Sequence, residues 1–197
     1  MAARARYRRR ERADPAQADP LAARLPVRMK EEIFAVVDAS DTVIDYRPRS
    51  EVHRLGLRHR SVHVWVYNRM GELLLQKRSR RKECFPGMWD SAAAGHVDRG
   101  EAYDECAVRE LQEELGVTLD APLERLFKLE ASAATGWEFC WVYRCTSDGP
   151  FELNPEEVDA VAWFAPAELG QRLHATPLEF ASTVPLIYSR LHGAAGT

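Results

Sequence analysis

Residues Gly95 to Val117, GHVDRGEAYDECAVRELQEELGV, constrain this chain more than any other stretch. At about 100° per residue, Ala107, Val108, Leu111 and Leu115 fall into one apolar stripe, which predicts a helix over residues 101–115 docked through that stripe. Glu110, Glu113 and Glu114 gather on the adjacent face, where like charges three and four apart repel by a few tenths of a kcal/mol. Glu101 and Asp104 suit the positive end of the helix dipole, but Glu113 and Glu114 lie near its negative end. Gly116 sits where a left-handed residue closes a helix. A placement that breaks a local rule marks a candidate site. A hard divalent cation, magnesium or manganese, resolves it, because such ions take carboxylate oxygens and complete their shell with water and phosphate. A solvated acidic face is the alternative that spacing leaves open.

At 197 residues and 46% apolar content the chain is sized for one globular domain with its own core. The net charge of -3 is unevenly spread: residues 1–30 carry nine Lys/Arg against Glu11, Asp14 and Asp19. That segment has few large apolar residues and no run fit for a signal peptide or a membrane span, so it reads as a basic, disordered arm ahead of a domain over residues 31–192. An electrostatic arm for RNA or acidic lipid is its functional reading, although arginines without interleaved aromatics are weak evidence for one. Cys84, Cys106, Cys140 and Cys145 have no CxxC spacing, which argues against a disulfide framework or a zinc knuckle and for reduced thiols in the cytoplasm.

From residue 33 onward short β-branched and aromatic runs alternate with helical periods. IFAVVD predicts a strand, SVHVWVYN and ELLLQKR a hairpin turning at Gly71, and MWDSAAAGHV an extended lead into the acidic helix. LERLFKLEA, WEFCWVYRC and EVDAVAWF predict three more strands. Pro166 opens a helix, and Pro185 is expected to break or kink a final apolar-periodic segment. The sum is an α+β domain with a helix against a sheet.

The acidic helix also matches a known pattern. Gly95, five residues, Glu101, seven residues, Arg109-Glu110-Leu111, one residue, Glu113-Glu114, one residue and Gly116-Val117 resembles the Nudix box at every defined position. The resemblance implies an α/β/α sandwich around a mixed sheet and magnesium-assisted hydrolysis of a diphosphate linked to another moiety. It further implies that Glu110 and Glu114 are metal ligands and Glu113 a further ligand or the water-activating base. Arg109 and Glu101 would pair to fix the loop, and the Gly95 carbonyl would reach the metal. The expected substrate is a nucleoside diphosphate derivative or a similar small diphosphate, and a homodimer is compatible with the resemblance.

Beyond the box, LLLQKRSRRKECFPGMWDSAAAGHVDRGE is similar to the isopentenyl-diphosphate isomerase-like branch of that superfamily. Its isomerases use a cysteine just before the Gly-His pair and a glutamate on a later strand. Here Ala94 takes the cysteine's place and Glu138 stands near the glutamate's, which favours hydrolysis over carbon-centred isomerisation. A second metal site over His53, His59, His96 and Glu138 follows from the same resemblance, against the reading in which His53 and His59 lie on a surface loop. Arg78, Arg80, Arg81 and Lys82 crowd the loop beside the predicted site, and Arg78, Arg80 and Lys82 are the candidates to clamp the non-reacting phosphate. None of Trp65, Trp89, Trp137, Trp141 and Trp163 is assigned to a substrate, since strand aromatics are more often core. Two other functions compete: an isomerase with altered acid-base groups, and a non-catalytic Nudix module binding a nucleotide or RNA.

Overall fold

The computed structural model describes residues 31–193, so the arm read over residues 1–30 lies outside the described residues. Within them, β1 (Ile33–Val37) and β2 (Val43–Pro48) form a two-stranded antiparallel sheet, followed by the short helix α1 (Arg49–Leu55). The hairpin read around Gly71 is present as β3 (His59–Tyr67) and β4 (Leu73–Arg78), with Gly71 at φ 81° in its turn. The two strands pair only at Val66 and Tyr67 and then diverge. Beyond the split, β6 (Ala93–His96) takes the free edge of β3, while β5 (Trp89–Ser91) and β9 (Val158–Phe164) flank β4. On its other side β3 runs parallel to β8 (Glu138–Thr146) over nine residues, and β8 pairs antiparallel with β7 (Glu124–Leu129). The seven-stranded sheet is therefore mixed, as expected.

Strand periodicity builds the layers. Successive residues of β3 point to opposite faces, so Val62, Val64 and Val66 join one core and Trp65 another. The first core is closed by α2 (Tyr103–Leu115) through Cys106, Ala107, Leu111 and Leu115. The second is closed by α3 (Pro166–Ala175) and α4 (Thr183–His192), through Leu169, Val184 and Ile187. Helices on both faces of a sheet give the α/β/α sandwich. Phe34, Val36 and Val52 form a third, smaller cluster between the β1–β2 sheet and α1.

Three details depart from the sequence reading. Val108 is 50% exposed and does not belong to the docking stripe, whose place is taken by Cys106 one turn earlier than Glu110. Pro185 neither breaks nor kinks α4: it occupies the third position of that helix, where its missing N–H has no intrahelical partner to lose, and the break falls before it, at Phe180 to Ser182. His53 lies on α1, and His59 opens β3 at 1% exposure, so neither sits on a surface loop.

Candidate functional site

The acidic residues of α2 divide by burial. Glu114 is 1% exposed, and its Oε2 accepts hydrogen bonds from the Ala94 N–H at 3.0 Å and from Gln76 Nε2 at 2.8 Å. Glu110 is largely covered, whereas the Glu113 side chain is 55% exposed. Burial pushes the Glu114 carboxyl up to about 8, with the neighbouring Glu110 adding to it. Burial likewise pushes Glu110 up to about 7, Arg109 only partly opposing it. Two carboxyl groups that resist ionisation side by side at neutral pH are a site that lacks positive charge.

The box loop is locked onto the helix by one guanidinium. Arg109 donates from Nε and Nη2 to the two oxygens of Glu101, at 2.7 and 2.9 Å, and from Nη2 to the His96 carbonyl at 3.1 Å. Its Nη1 reaches Glu110 at 2.6 Å and Glu113 at 3.1 Å. Although burial works against its charge, Glu101 is held below the usual carboxylate range by Arg109 and by the Asp98 N–H. Gly95 has no steric choice: a Cβ there would lie 2.0 Å from the Glu110 carboxyl carbon. Gly116, at φ 67°, caps α2: its N–H donates to the Gln112 carbonyl and the N–H of Val117 to the Leu111 carbonyl.

A cavity of about 660 Å³ brings Glu110, Glu113 and Glu114 to the same space as His53, His96 and Glu138. One ligand atom from each of His53, His59, His96 and Glu138 lies within 4.8 Å of the others. His96 Nε2 is 3.3 Å from Glu138 Oε1. His59 Nδ1 lies 2.9 Å from the Leu57 carbonyl, so that nitrogen carries the proton and Nε2 presents a lone pair. That lone pair is buried, has no hydrogen-bond partner, and faces Glu138 Oε1 at 3.6 Å. An imidazole oriented from behind by a carbonyl, with its second nitrogen left over, is the arrangement metal-binding histidines use. Burial lowers His53 to about 4, with His96 and His59 adding to it, and burial also lowers His96, keeping both rings neutral as ligands must be. Phe34 covers the cluster, stacked 4.4 Å from the His96 ring and 5.6 Å from that of His59.

The basic residues behave differently from one another. Arg78 and Lys82 line the cavity. Arg78 is already engaged, donating from Nη1 to Asp90 at 3.0 Å and from Nε to the Cys84 carbonyl at 3.1 Å, and Lys82 is paired with Glu157. Arg80 is exposed and does not line the cavity, and Arg81 pairs with Glu156 on the surface. Sequence reasoning missed Gln76, which anchors Glu114, and Asp90, which anchors Arg78. Gln76 had a signal, a lone amide inside the apolar run LLLQ; Asp90 had none.

The NUDIX domain family model matches residues 57–184. An uncharacterized Nudix hydrolase of Yersinia pestis is 38% identical over 138 residues, covering 70% of this chain and 75% of that protein. The isopentenyl-diphosphate Delta-isomerase of Paenarthrobacter aurescens is 32% identical over 166 residues, 81% of this chain and 90% of its own length. Among solved structures, DR0079 from Deinococcus radiodurans superposes with a TM-score of 0.73 at 28% identity, over 82% of this chain and 99% of that one.

Proposed function

The chain belongs to the Nudix hydrolase family, and on that premise we propose that it uses a divalent cation to hydrolyse the diphosphate bond of a small molecule. The observation that carries the reading is the buried pair Glu110 and Glu114, pushed up to about 7 and about 8, beside a glycine whose absent side chain leaves Glu110 its space. Their oxygens, with the Gly95 carbonyl, form a hard donor set that fits magnesium or manganese. Such an ion, when bound, neutralises charge developing on the phosphate and acidifies water.

The chain's own residues supply the rest. Glu113, the exposed member of the three, takes the proton from the attacking water. Arg109, clamped by Glu101, holds Glu110 and Glu113 at their working separation. Lys82 and the uncommitted Nη2 of Arg78 bind the non-reacting phosphate. The four cysteines are free, which supports a cytoplasmic setting, and among the described residues no helix is long and apolar enough to cross a membrane.

The test is phosphate release from a broad panel of diphosphates. Glu114→Gln, or EDTA, is expected to abolish release while circular dichroism shows the fold intact; full activity in either case removes the reading.

A second reading, isomerisation of an isoprenyl diphosphate, is favoured by the His53, His59, His96 and Glu138 cluster, whose imidazole-rich set suits manganese or zinc. Ala94 stands against it, offering a methyl group where that chemistry needs a proton donor. Interconversion of isomers seen by NMR without phosphate release would promote it.

A further inference from the structure

Neither bond cleavage nor packing accounts for the lone amide in the apolar run of β4. Alternation along that strand puts Leu73 and Leu75 in the core under α3 and α4, and Leu74 and Gln76 on the face that meets α2. Gln76 is fully buried, and its Nε2 donates to Glu114 Oε2 at 2.8 Å. The same oxygen accepts the Ala94 N–H at 3.0 Å. Glu114 is thereby tied to both sides of the split between β3 and β4, to β4 itself and to β6 on the edge of β3.

Both donors fall on one carboxylate oxygen. Oε1 of Glu114 has no hydrogen bond among the described residues and is left for the cavity that Glu114 lines. A carboxylate that holds a cation is ionised and only accepts, so Gln76 must turn its NH2 to it. The amide Oε1 is then buried without a partner, a cost in stability that leucine or methionine at this position would not carry. A residue that breaks a local rule in this way is a candidate for function. The choice of an amide also fits a cation site. It orients Glu114 without adding charge, whereas a lysine or arginine would neutralise the carboxylate and repel the cation.

We propose that Gln76 is a positioning residue for the divalent cation. By holding Oε2 it keeps Oε1 of Glu114 turned to the cation, and so sets cation affinity without touching cation or substrate. The proposal rests on the hydrolytic reading above, in which Glu114 is a ligand. Groups that fix a ligating carboxylate from behind are worth roughly tenfold to a hundredfold in metal affinity.

Calorimetric titration of the full chain with magnesium, and with manganese as a second probe, tests this in Gln76→Met, which keeps the length of the side chain and removes the donor. The Ala94 N–H belongs to the backbone and stays in every variant, so the change reads the amide alone. The dissociation constant of the folded variant is expected to rise roughly tenfold to a hundredfold. The magnesium concentration that half-saturates phosphate release is expected to rise by the same factor. Gln76→Asn, whose amide is withdrawn by one methylene, is expected to lose affinity likewise, and it replaces the methionine variant if that does not fold. A merely structural glutamine would lower the melting temperature and the maximal rate and leave both magnesium constants where they are. That result, with wild-type protein binding the cation, overturns the proposal and leaves the hydrolytic reading standing. If the wild-type chain binds neither cation, the metal reading of the site fails and the proposal falls with it.

Discussion

Gly95 leaves the Glu110 carboxyl its space, and on the proposed function a single methyl group at residue 95 would block the site. Gly95→Ala would place its Cβ 2.0 Å from the Glu110 carboxyl carbon and drive that side chain aside. Magnesium affinity measured by calorimetry is expected to fall roughly tenfold to a hundredfold, as when the supporting shell of a metal site is lost. The two raised carboxyls also set a pH dependence. Their folded-state values of about 7 and about 8 exceed the ordinary 4.5, so the native state holds protons that the unfolded chain has released. Their stabilising contribution is full below pH 4.5 and is lost as pH rises through both values. The melting temperature without cation is expected to drop over that window, and added magnesium to raise it more at its alkaline end, because binding expels those protons. A magnesium effect that is flat with pH would contradict this. At this scale the box was legible, since its residues lie close in sequence. Gln76 and Asp90 act across the fold, and nothing in their spacing tied them to Glu114 or Arg78.

Among the elements, α2 shows what helical periodicity reads well and what it misses. The stripe through Ala107, Leu111 and Leu115 docks as expected, and Leu111→Ala is expected to cost about 2–5 kcal/mol in chemical denaturation, the range for emptying a buried leucine site. Val108 looked equivalent on a helical wheel, but one position of rotation leaves it in solvent. The end of the helix was equally legible. At Gly116 a Cβ would stand 2.8 Å from that of Glu152 in a backbone at φ 67°, so Gly116→Ala is expected to destabilise by more than about 1 kcal/mol, read as a lower denaturation midpoint. By contrast β2 and α1 left little trace. Only Val52 is buried in the seven residues of α1, and β2 has no fully buried residue, so neither carries a hydrophobic period to find.

Over the whole molecule, His53, His59, His96 and Glu138 come from α1, β3, β6 and β8 and meet only because the sheet brings these elements together. A cation held there would tie α1 to the central strands. Manganese or zinc is therefore expected to raise the melting temperature and to slow amide exchange over Arg49–Leu55, and His59→Ala to remove both effects. Unchanged exchange with saturating metal would argue that the cluster is only a packed polar contact. The alternation of β3 reaches further than packing. Val62, Val64 and Val66 support the helix that bears the box, while Ser61 and His63 line the cavity. Inheritance can thus reshape the cavity at Ser61 and His63 and leave the face of this strand that supports α2 undisturbed. One strand offers separate routes to a reshaped cavity and a preserved support for the helix.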